Sequence, residues 1–197
     1  MIFIAKAEKI FLSKFRSEIL KPKVIILLTL LTAKTLASTC KTSPGFVSCN
    51  SGTAPGLEAQ GIAELNATNF TDKVLVYGQL SADNCSFSDI EVHGLSHISY
   101  SKLAKDGYFY GMTTLENSSN MNKIEIFSNK AIIKDSKLND IFIEGNSDTK
   151  LIVTNSIISG DITFNGSFGK VICIANCNIS GKIHNGKLET KGEDNAQ

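Results

Sequence analysis

The 197-residue sequence contains no tryptophan, three prolines and a single arginine, Arg16. Arginine is the side chain best suited to bidentate recognition of phosphate groups. Residues 38–197 hold 13 Lys against 17 Asp plus Glu, which gives a formal net charge of 13 − 17 = −4. An acidic segment without arginine is poorly suited to bind a polyanion, so we expect no nucleic acid among the partners.

Catalytic motifs are also missing. The sequence contains no GxSxG element, no Walker-type phosphate loop and no HExxH zinc motif. Only three histidines occur, and His93 and His97 lack a suitably spaced carboxylate or cysteine that would complete a metal site. We interpret these two histidines as exposed loop residues. The sequence therefore predicts a protein that is not an enzyme and that uses neither a cofactor nor a metal.

No apolar run is long enough to cross a bilayer, which takes about 20 residues. The apolar stretch at residues 24–32 is short, follows a lysine-rich start and precedes small residues at Thr35 and Ala37. This arrangement is typical of a secretory signal peptide, which we assign to residues 1–37, with an anchoring amphipathic helix as the alternative. We expect an exported protein, periplasmic, cell-surface or extracellular, whose mature chain has no transmembrane span.

What the sequence does contain is one short pattern repeated over residues 62–186. Each copy has a small residue, a spacer, an apolar anchor, a polar turn and two alternating apolar residues, as in the copy from Ser156 to Phe164. A pattern that recurs at a nearly fixed period is typical of stacked repeats. The predicted anchors are Phe70, Phe87, Leu103, Met121, Leu138, Ile158 and Ile179.

Two further columns accompany the anchors. The column two positions before each anchor contains only small residues, which predicts a tight corner where one coil stacks on the next: Thr68, Cys85, Ser101, Ser119, Ser136, Ser156 and Cys177. The position before that is often Asn or Asp, residue types that tolerate a left-handed backbone. Ala67, Tyr100 and Ser118 interrupt this second column.

The alternating apolar pairs predict short strands with one buried face. Coils of this length are too short for propeller blades of about 40 residues, and they suit two or three strands per solenoid turn. We therefore predict an all-β fold, a single-stranded β-solenoid (right-handed parallel β-helix) of about seven coils, with a β-sandwich as the alternative. Phe87, Ile141, Ile158 and Ile162 are expected to point into the core.

Two polar segments flank the predicted solenoid at residues 62–186. Residues 38–61 are rich in Ser, Thr, Gly and Pro and predict a linker or an N-terminal cap. Residues 187–197 predict a disordered tail. In an oxidising compartment, Cys40 and Cys49 are the expected disulfide pair, with two free thiols as the alternative.

The other three cysteines lie within the repeats. Cys173 and Cys177 have a spacing found in metal sites, but no second Cys or His pair completes a ligand set. Cys85 and Cys177 share the small-residue column five coils apart, which is beyond the reach of a disulfide. We interpret all three as small buried packing residues.

An aromatic cluster at Tyr100, Tyr108, Phe109 and Tyr110 is the candidate ligand-binding site. Exposed rings at the edge of a solenoid can stack on sugar rings or anchor a partner. The cluster therefore predicts a cell-surface glycan as a partner, and rings that face the core are the alternative.

Residues 159–166 (SGDITFNG) and 180–186 (SGKIHNG) resemble the bactofilins, polymer-forming bacterial proteins with a small right-handed β-helix. Residues 76–80 and 92–94 have the same character, and the resemblance covers residues 62–186. It implies assembly without catalysis or nucleotide. Two features differ, because most bactofilins are cytosolic and their repeats are more regular in Gly and Val.

The two ends of a solenoid leave backbone groups unpaired unless something covers them. Residues 38–61 are long enough to fold over the first coil, whereas the segment after Gly186 has one large apolar residue, Leu188. We therefore predict self-association through the last coil, residues 171–186. The leading hypothesis is a secreted, non-enzymatic, structural, adhesive or self-assembling surface protein. The alternative is a carbohydrate-binding or carbohydrate-active β-helix that uses the Tyr100–Tyr110 edge.

Overall fold

The computed structural model describes residues 39–192 apart from Met121 and Ser147. All of them belong to one unit of the chain, Leu36–Gln197. The predicted signal peptide and residues 193–197 of the predicted tail lie outside the described residues. The described part forms strands and turns, and none of it is a helix with the length and apolar character needed to cross a membrane.

Nineteen strands follow one another in the described part. The first ten are β1 (Thr39–Ser43), β2 (Phe46–Ala54), β3 (Leu57–Asp83), β4 (Ser86–Ser99), β5 (Lys102–Leu103), β6 (Gly107–Tyr110), β7 (Thr113–Glu116), β8 (Ser119–Asn120), β9 (Lys123–Phe127) and β10 (Lys130–Lys134). The others are β11 (Lys137–Leu138), β12 (Asp140–Gly145), β13 (Lys150–Thr154), β14 (Ile157–Ile158), β15 (Ile162–Gly166), β16 (Gly169–Ile174), β17 (Asn178–Ile179), β18 (Ile183–His184) and β19 (Gly186–Lys191).

From β2 onward, each strand pairs in parallel with the strand one turn later, for example β10 with β13 and β13 with β16. The result is a β-solenoid of about eight turns, which confirms the predicted fold class and adds one turn to the predicted seven. In the described part only β1 pairs in the antiparallel sense, with β2.

Each turn has three faces, which we call the first, second and third face in chain order and identify by their inward residues. The first face carries Val74 and Ile90 in register, the second carries Leu80 and Ser96, and the third carries the anchors such as Phe87. Inward and outward residues alternate along each face, and the alternation is interrupted at the corners, so the core is a continuous apolar column enclosed by the three faces. The four residues expected to point inward, Phe87, Ile141, Ile158 and Ile162, are at most 1% exposed, which confirms that prediction.

The corner between the second and third faces is built as the small-residue column predicts. Each serine hydroxyl accepts the backbone N–H of the column residue one turn earlier, over 3.0 to 3.2 Å, and donates to the carbonyl two residues before itself. The serines of this ladder are Ser101, Ser118, Ser136 and Ser156. A larger side chain has no room there, because all four are at most 4% exposed.

The residue before each ladder position has a left-handed backbone. Its φ lies between 39° and 53° at Ser51, Ala67, Asn84, Tyr100, Asn117, Asp135, Asn155 and Asn176. Asn and Asp fill five of these eight positions, as expected for residues that adopt this conformation at low cost. The corner geometry is therefore kept even where Ala67 and Tyr100 depart from the sequence pattern.

The predicted register was wrong by one residue in the turn that contains β8. Leu103 pairs with Asn120, so Asn120 occupies the anchor position, and Met121 lies outside the described residues. Ser118 rather than Ser119 then joins the small-residue column, and Asn117 the left-handed one. A buried amide can replace an apolar anchor because its side chain is paired: the Asn120 amide donates to Lys105 O over 2.8 Å and accepts from Asn122 N–H.

Both flanking segments contain more strand structure than the sequence predicted. Residues 38–61 are not a linker, since β2 and the start of β3 form a full turn that pairs in register from Phe46↔Ile62 to Ala54↔Phe70. The predicted tail begins with a strand, since β19 pairs along its whole length with β16. Backbone pairing with a neighbouring turn, the following one for β2 and the preceding one for β19, compensates for the polar composition of both segments.

Two disulfides are present. Cys40 and Cys49, the pair expected from the sequence, are bonded and join β1 to β2. Cys173 and Cys177 are bonded as well, so the interpretation of these two as separate packing residues was wrong. The left-handed backbone at Ala175 and Asn176 turns the chain sharply and brings the two sulfurs together. Cys85 is a buried free thiol, as expected, and burial raises its pKa.

Candidate functional site

The four aromatic residues predicted as a ligand site do not form one surface. Phe109 is 1% exposed and belongs to the core, which corrects its assignment as a ligand-binding residue. Tyr100 lies at the left-handed corner and is 64% exposed. Only Tyr108 and Tyr110 share a surface, because alternate residues of β6 point outward from the first face.

On that face the structure reveals a ladder of stacked rings, which we name the ring ladder: Tyr77, His93, Tyr110 and Phe127. Neighbouring ring centroids are 4.7, 4.4 and 4.4 Å apart, and the ring planes are within 20° of parallel. The in-register pairing of parallel strands places one ring above the next. His93 is therefore a strand residue held between two tyrosines, and not the loop residue that the sequence suggested.

The stacking decides what the ring ladder can bind. A sugar ring packs against the flat face of an aromatic ring. Within the ladder each inner ring has both faces covered by its neighbours, and only ring edges face outward. The ring ladder therefore stabilises the stacking of turns, and its two inner rings, His93 and Tyr110, offer no open face to a glycan.

Charged residues beside the ring ladder are already paired. The Glu91 carboxylate accepts from the Lys73 ammonium over 2.5 Å and lies 2.6 Å from His93 Nε2. The hydrogen bond from Lys73, followed by that from His93, lowers the pKa of Glu91, and the same contact raises the pKa of Lys73. Lys123 and Glu125 form a similar pair two turns further on. These pairs connect neighbouring columns of the first face.

Tyr108 borders a small open hollow. The hollow has a volume of about 290 Å³ and is lined by Asp89, Lys105, Asp106, Tyr108 and Asn122. Asp89 Oδ1 is buried and has no hydrogen-bond partner among the described residues. An acceptor without a partner is costly to bury, so a hydroxyl or ammonium group of a ligand that donates a hydrogen bond to it would be stabilised here. No group of three or more His, Cys, Asp or Glu side chains in the described part is arranged to hold a metal ion.

The N-terminal end of the solenoid is partly covered. Strand β1 lies antiparallel along the outer edge of β2, from Thr39↔Asn50 to Ser43↔Phe46. Pro44 and Gly45, with Gly45 at φ 74°, make the tight turn between them. The Cys40–Cys49 disulfide fixes the two strands. The sequence predicted a cap at this end, and the part that serves as one is β1.

The C-terminal end is different. Strand β19 pairs with β16 on one side, and no described strand lies on its other side. The inward residues of this last turn are incompletely buried: Ile179 and Ile183 pack against the core but remain partly exposed, and Leu188 is 50% exposed. Among the described residues, nothing covers the core at this end.

The open strand carries alternating charges on its outward side. Lys187 donates to Glu189 over 2.7 Å, and Lys170 of the preceding turn lies 4.0 Å from the same carboxylate. The hydrogen bond from Lys187 lowers the pKa of Glu189. Lys191 completes the sequence of charges, so β19 presents lysine, glutamate and lysine in a row beside its unpaired edge.

Sequence reasoning missed the ring ladder and the last strand. The signal for the ladder is present, because Tyr77, His93 and Tyr110 each precede a glycine at the same place in the repeat. The signal for β19 is its first residue, Gly186. Strand β16 in the turn before also begins at a glycine, Gly169, and the two glycines lie in register. Comparison with protein-family models, with curated proteins and with solved structures finds no match to this chain.

Proposed function

We propose that this protein is an exported, non-enzymatic structural solenoid that self-associates through its C-terminal turn. The observation that carries the proposal is the difference between the two ends: β1 pairs with Phe46–Asn50 of the first turn, where Val47 and Cys49 are buried, whereas the last turn leaves the β19 edge without a described partner and Leu188 half exposed. An unpaired edge and an open core attract a strand of matching geometry. The resemblance to the bactofilins, which implies assembly, agrees with this role.

Export is the second part of the proposal. It is supported by the signal-peptide pattern of residues 1–37 and by two disulfides, a number unusual for a protein of a reducing compartment. An oxidising compartment outside the cytoplasm would keep both disulfides formed, as they are in this structure. Fusion of residues 1–40 to a reporter that is active only after export tests this part, and a reporter retained in the cytoplasm would contradict it.

Sedimentation of the unit Leu36–Gln197 over a hundredfold concentration range tests self-association. This unit contains the whole described core and both disulfides, so it has what it needs to fold alone. We expect the average mass to rise with concentration. The variant Leu188→Asp, which places a charge in the open end, should stay monomeric.

Leu95→Asp is the matched control, because Leu95 is 51% exposed and Leu188 50%, but Leu95 lies in β4, remote from the last turn. Association that survives Leu188→Asp, or that is lost equally in both variants, would contradict the role of the C-terminal end. A wild-type unit that stays monomeric over the whole range would remove the proposal altogether.

A second candidate function is sugar binding at the hollow beside Tyr108. The observation that favours it is the buried, unpartnered Asp89 Oδ1, which is suited to accept a hydrogen bond from a sugar hydroxyl next to an aromatic ring. This site is narrower than the Tyr100–Tyr110 edge predicted from the sequence, since Phe109 is buried and Tyr100 lies at another corner. Screening on a glycan array, with Tyr108→Ala and Asp89→Asn beside the wild type, tests it, and binding that neither substitution weakens would contradict this site.

A further inference from the structure

The hydrogen-bonding phase of β19 determines how its open edge can pair. Gly169 N–H donates to Asn185 O, one residue before Gly186, its partner in register. In a parallel ladder this alternation directs the N–H and C=O groups of Lys187 and Glu189 toward β16. The backbone groups of Gly186, Leu188 and Thr190 therefore point away from β16, to the open edge.

An antiparallel partner must place residues with edge-directed groups opposite one another. If the partner is a second copy of β19, a two-fold axis relates the strands. The axis can pass through Leu188 or through one of its outward neighbours, Lys187 and Glu189. With the axis at Leu188, the two Leu188 residues exchange hydrogen bonds, and Gly186 lies opposite Thr190. With the axis at Glu189, Leu188 lies opposite Thr190.

Charge distinguishes these three registers. With the axis at Leu188, Lys187 of each copy lies directly opposite Glu189 of the other, and these side chains share the outward side of the strand. Together with the Lys187–Glu189 pair within each strand, they form a square of alternating charges. With the axis at Glu189, Lys187 lies opposite Lys191 twice, and with the axis at Lys187 the two Lys187 residues face one another. Like charges in direct opposition are unfavourable.

The Leu188 register also closes the core. Leu188 is on the inward side of β19, so two copies bring their half-exposed Leu188 side chains together across the axis. The same rotation places the first face of one copy against the third face of the other, which carry the partly exposed Ile183 and Ile179. In this register we expect the apolar column of one solenoid to continue into the next.

We propose that two copies of this chain join tail to tail, β19 antiparallel to β19, in the register with Leu188 opposite Leu188. This inference rests on the self-association proposed above and adds its geometry, its partner and its limit. The limit to two copies follows from the other end, where β1 pairs with Phe46–Asn50 of β2 and the inward residues Val47 and Cys49 are already buried. With one end covered and the other used in the pairing, the product is a closed dimer.

A charge exchange tests the register. Lys187→Glu places two glutamates opposite Glu189 of the partner, and Glu189→Lys places two lysines opposite Lys187. Each variant alone should dimerise at least about tenfold more weakly than the wild type. An equimolar mixture should recover the dimer as a heterodimer, because each altered strand then faces a strand of opposite charge. This recovery requires both variants to be folded.

The matched control is Lys150→Glu, which reverses an exposed lysine in the same column two turns away, and which should leave dimerisation unchanged. Loss of dimerisation in Lys150→Glu, or a mixture that does not recover the dimer, would overturn the register. If Leu188→Asp abolishes association while Lys187→Glu and Glu189→Lys leave it unchanged, the C-terminal end associates in another way and only this inference fails.

Removal of the cover tests the limit to two copies. A chain that starts at Phe46, with Cys49→Ala to avoid an unpaired thiol, lacks β1 and opens the edge of β2. We expect this chain to form assemblies larger than dimers, and Lys187→Glu in the same background to reduce them. Wild-type assemblies larger than two, or an uncovered chain that stops at dimers, would overturn the limit.

Discussion

The interior turns and the last turn follow the same sequence pattern, yet their side chains have different surroundings. Ile158 and Ile162 are fully buried, whereas Ile179 and Ile183, their partners in register one turn later, are partly exposed. Both pairs are isoleucines at equivalent positions. In a solenoid each turn touches only its neighbours, so the burial of a residue depends on whether another turn follows. The same residue type therefore stabilises the fold in one turn and is available for contact in another.

The largest effect should come from deleting apolar volume inside the interior turns. Ile158→Ala should lower the free energy of unfolding by about 2–5 kcal/mol, because it removes buried methylene groups and leaves a cavity. Ile179→Ala, in the last turn, should cost under about 1.5 kcal/mol, since its side chain is only partly removed from water. Urea melts of both variants measure the difference. Equal losses would show that the last turn is covered in solution.

Adding volume at the serine ladder should have the next largest effect. Ser156 is fully buried, and its hydroxyl accepts the N–H of Ser136 and donates to Thr154 O. Ser156→Leu should cost about 1–3 kcal/mol through overpacking, with a further loss from the unpaired N–H group. Ser159→Leu, at an exposed position in the same turn, is the control and should be close to neutral. A neutral Ser156→Leu would mean that the corner is loosely packed.

The ring ladder offers a smaller and more local test. Tyr110 stacks on both His93 and Phe127, and aromatic contacts contribute about 0.5–1.5 kcal/mol each beyond buried area. Tyr110→Ala should therefore destabilise the solenoid by about 1–3 kcal/mol. Tyr100→Ala, which removes a ring that is 64% exposed and outside the ladder, should have little effect. Thermal melts compare the two, and equal shifts would show that the stacking adds nothing.

The smallest effect is the pH dependence of stability, which compares a surface ion pair of an interior turn with one in the last turn. The pKa of Glu91 is lowered by Lys73 and His93, so its contribution to stability is present at neutral pH. It is lost as the pH falls below about 4.3, the ordinary value for glutamate, and through the lowered pKa. Glu91→Gln should therefore lower the free energy of unfolding near pH 7. Near pH 3 the free energies of unfolding of the variant and the wild type should be closer to each other. Glu189→Gln, at the open end, should change the unfolding midpoint less. An unchanged pH profile in Glu91→Gln would contradict this assignment.

The core of the solenoid could be predicted from the sequence because the repeat itself encodes it. Small residues, anchors and alternating apolar pairs recur at the same spacing, and a period of two places Ile141 and Ile143 on one side of a strand. The register error at Asn120 shows the limit of this reasoning. Met121 is the more apolar residue, but the corner geometry at Asn117 and Ser118 sets the phase, and two hydrogen bonds compensate the buried amide.

The surface could be predicted only in part. Tyr77, His93, Tyr110 and Phe127 are 16 to 17 residues apart, and nothing in the local sequence of one turn shows that its ring touches the next. The sequence placed Tyr100, Phe109 and Tyr110 together because they are close along the chain. The strands separate them, since neighbouring residues point to opposite sides and a corner intervenes after Tyr100.

The sequence by itself determined that the chain is an all-β solenoid, which residues fill its core and where its tight corners lie. These follow from residue size and alternation, which are local and repeat in every turn. The tertiary structure alone decided that residues 46–61 and 186–191 belong to the solenoid, that Cys173 bonds to Cys177 and that four rings form a ladder. It also decided that β1 covers part of the first turn, whereas no described strand covers β19. Apart from the disulfide, which joins residues only four apart, these features depend on the turn above or below, at a separation of 16 to 17 residues that only stacking brings together.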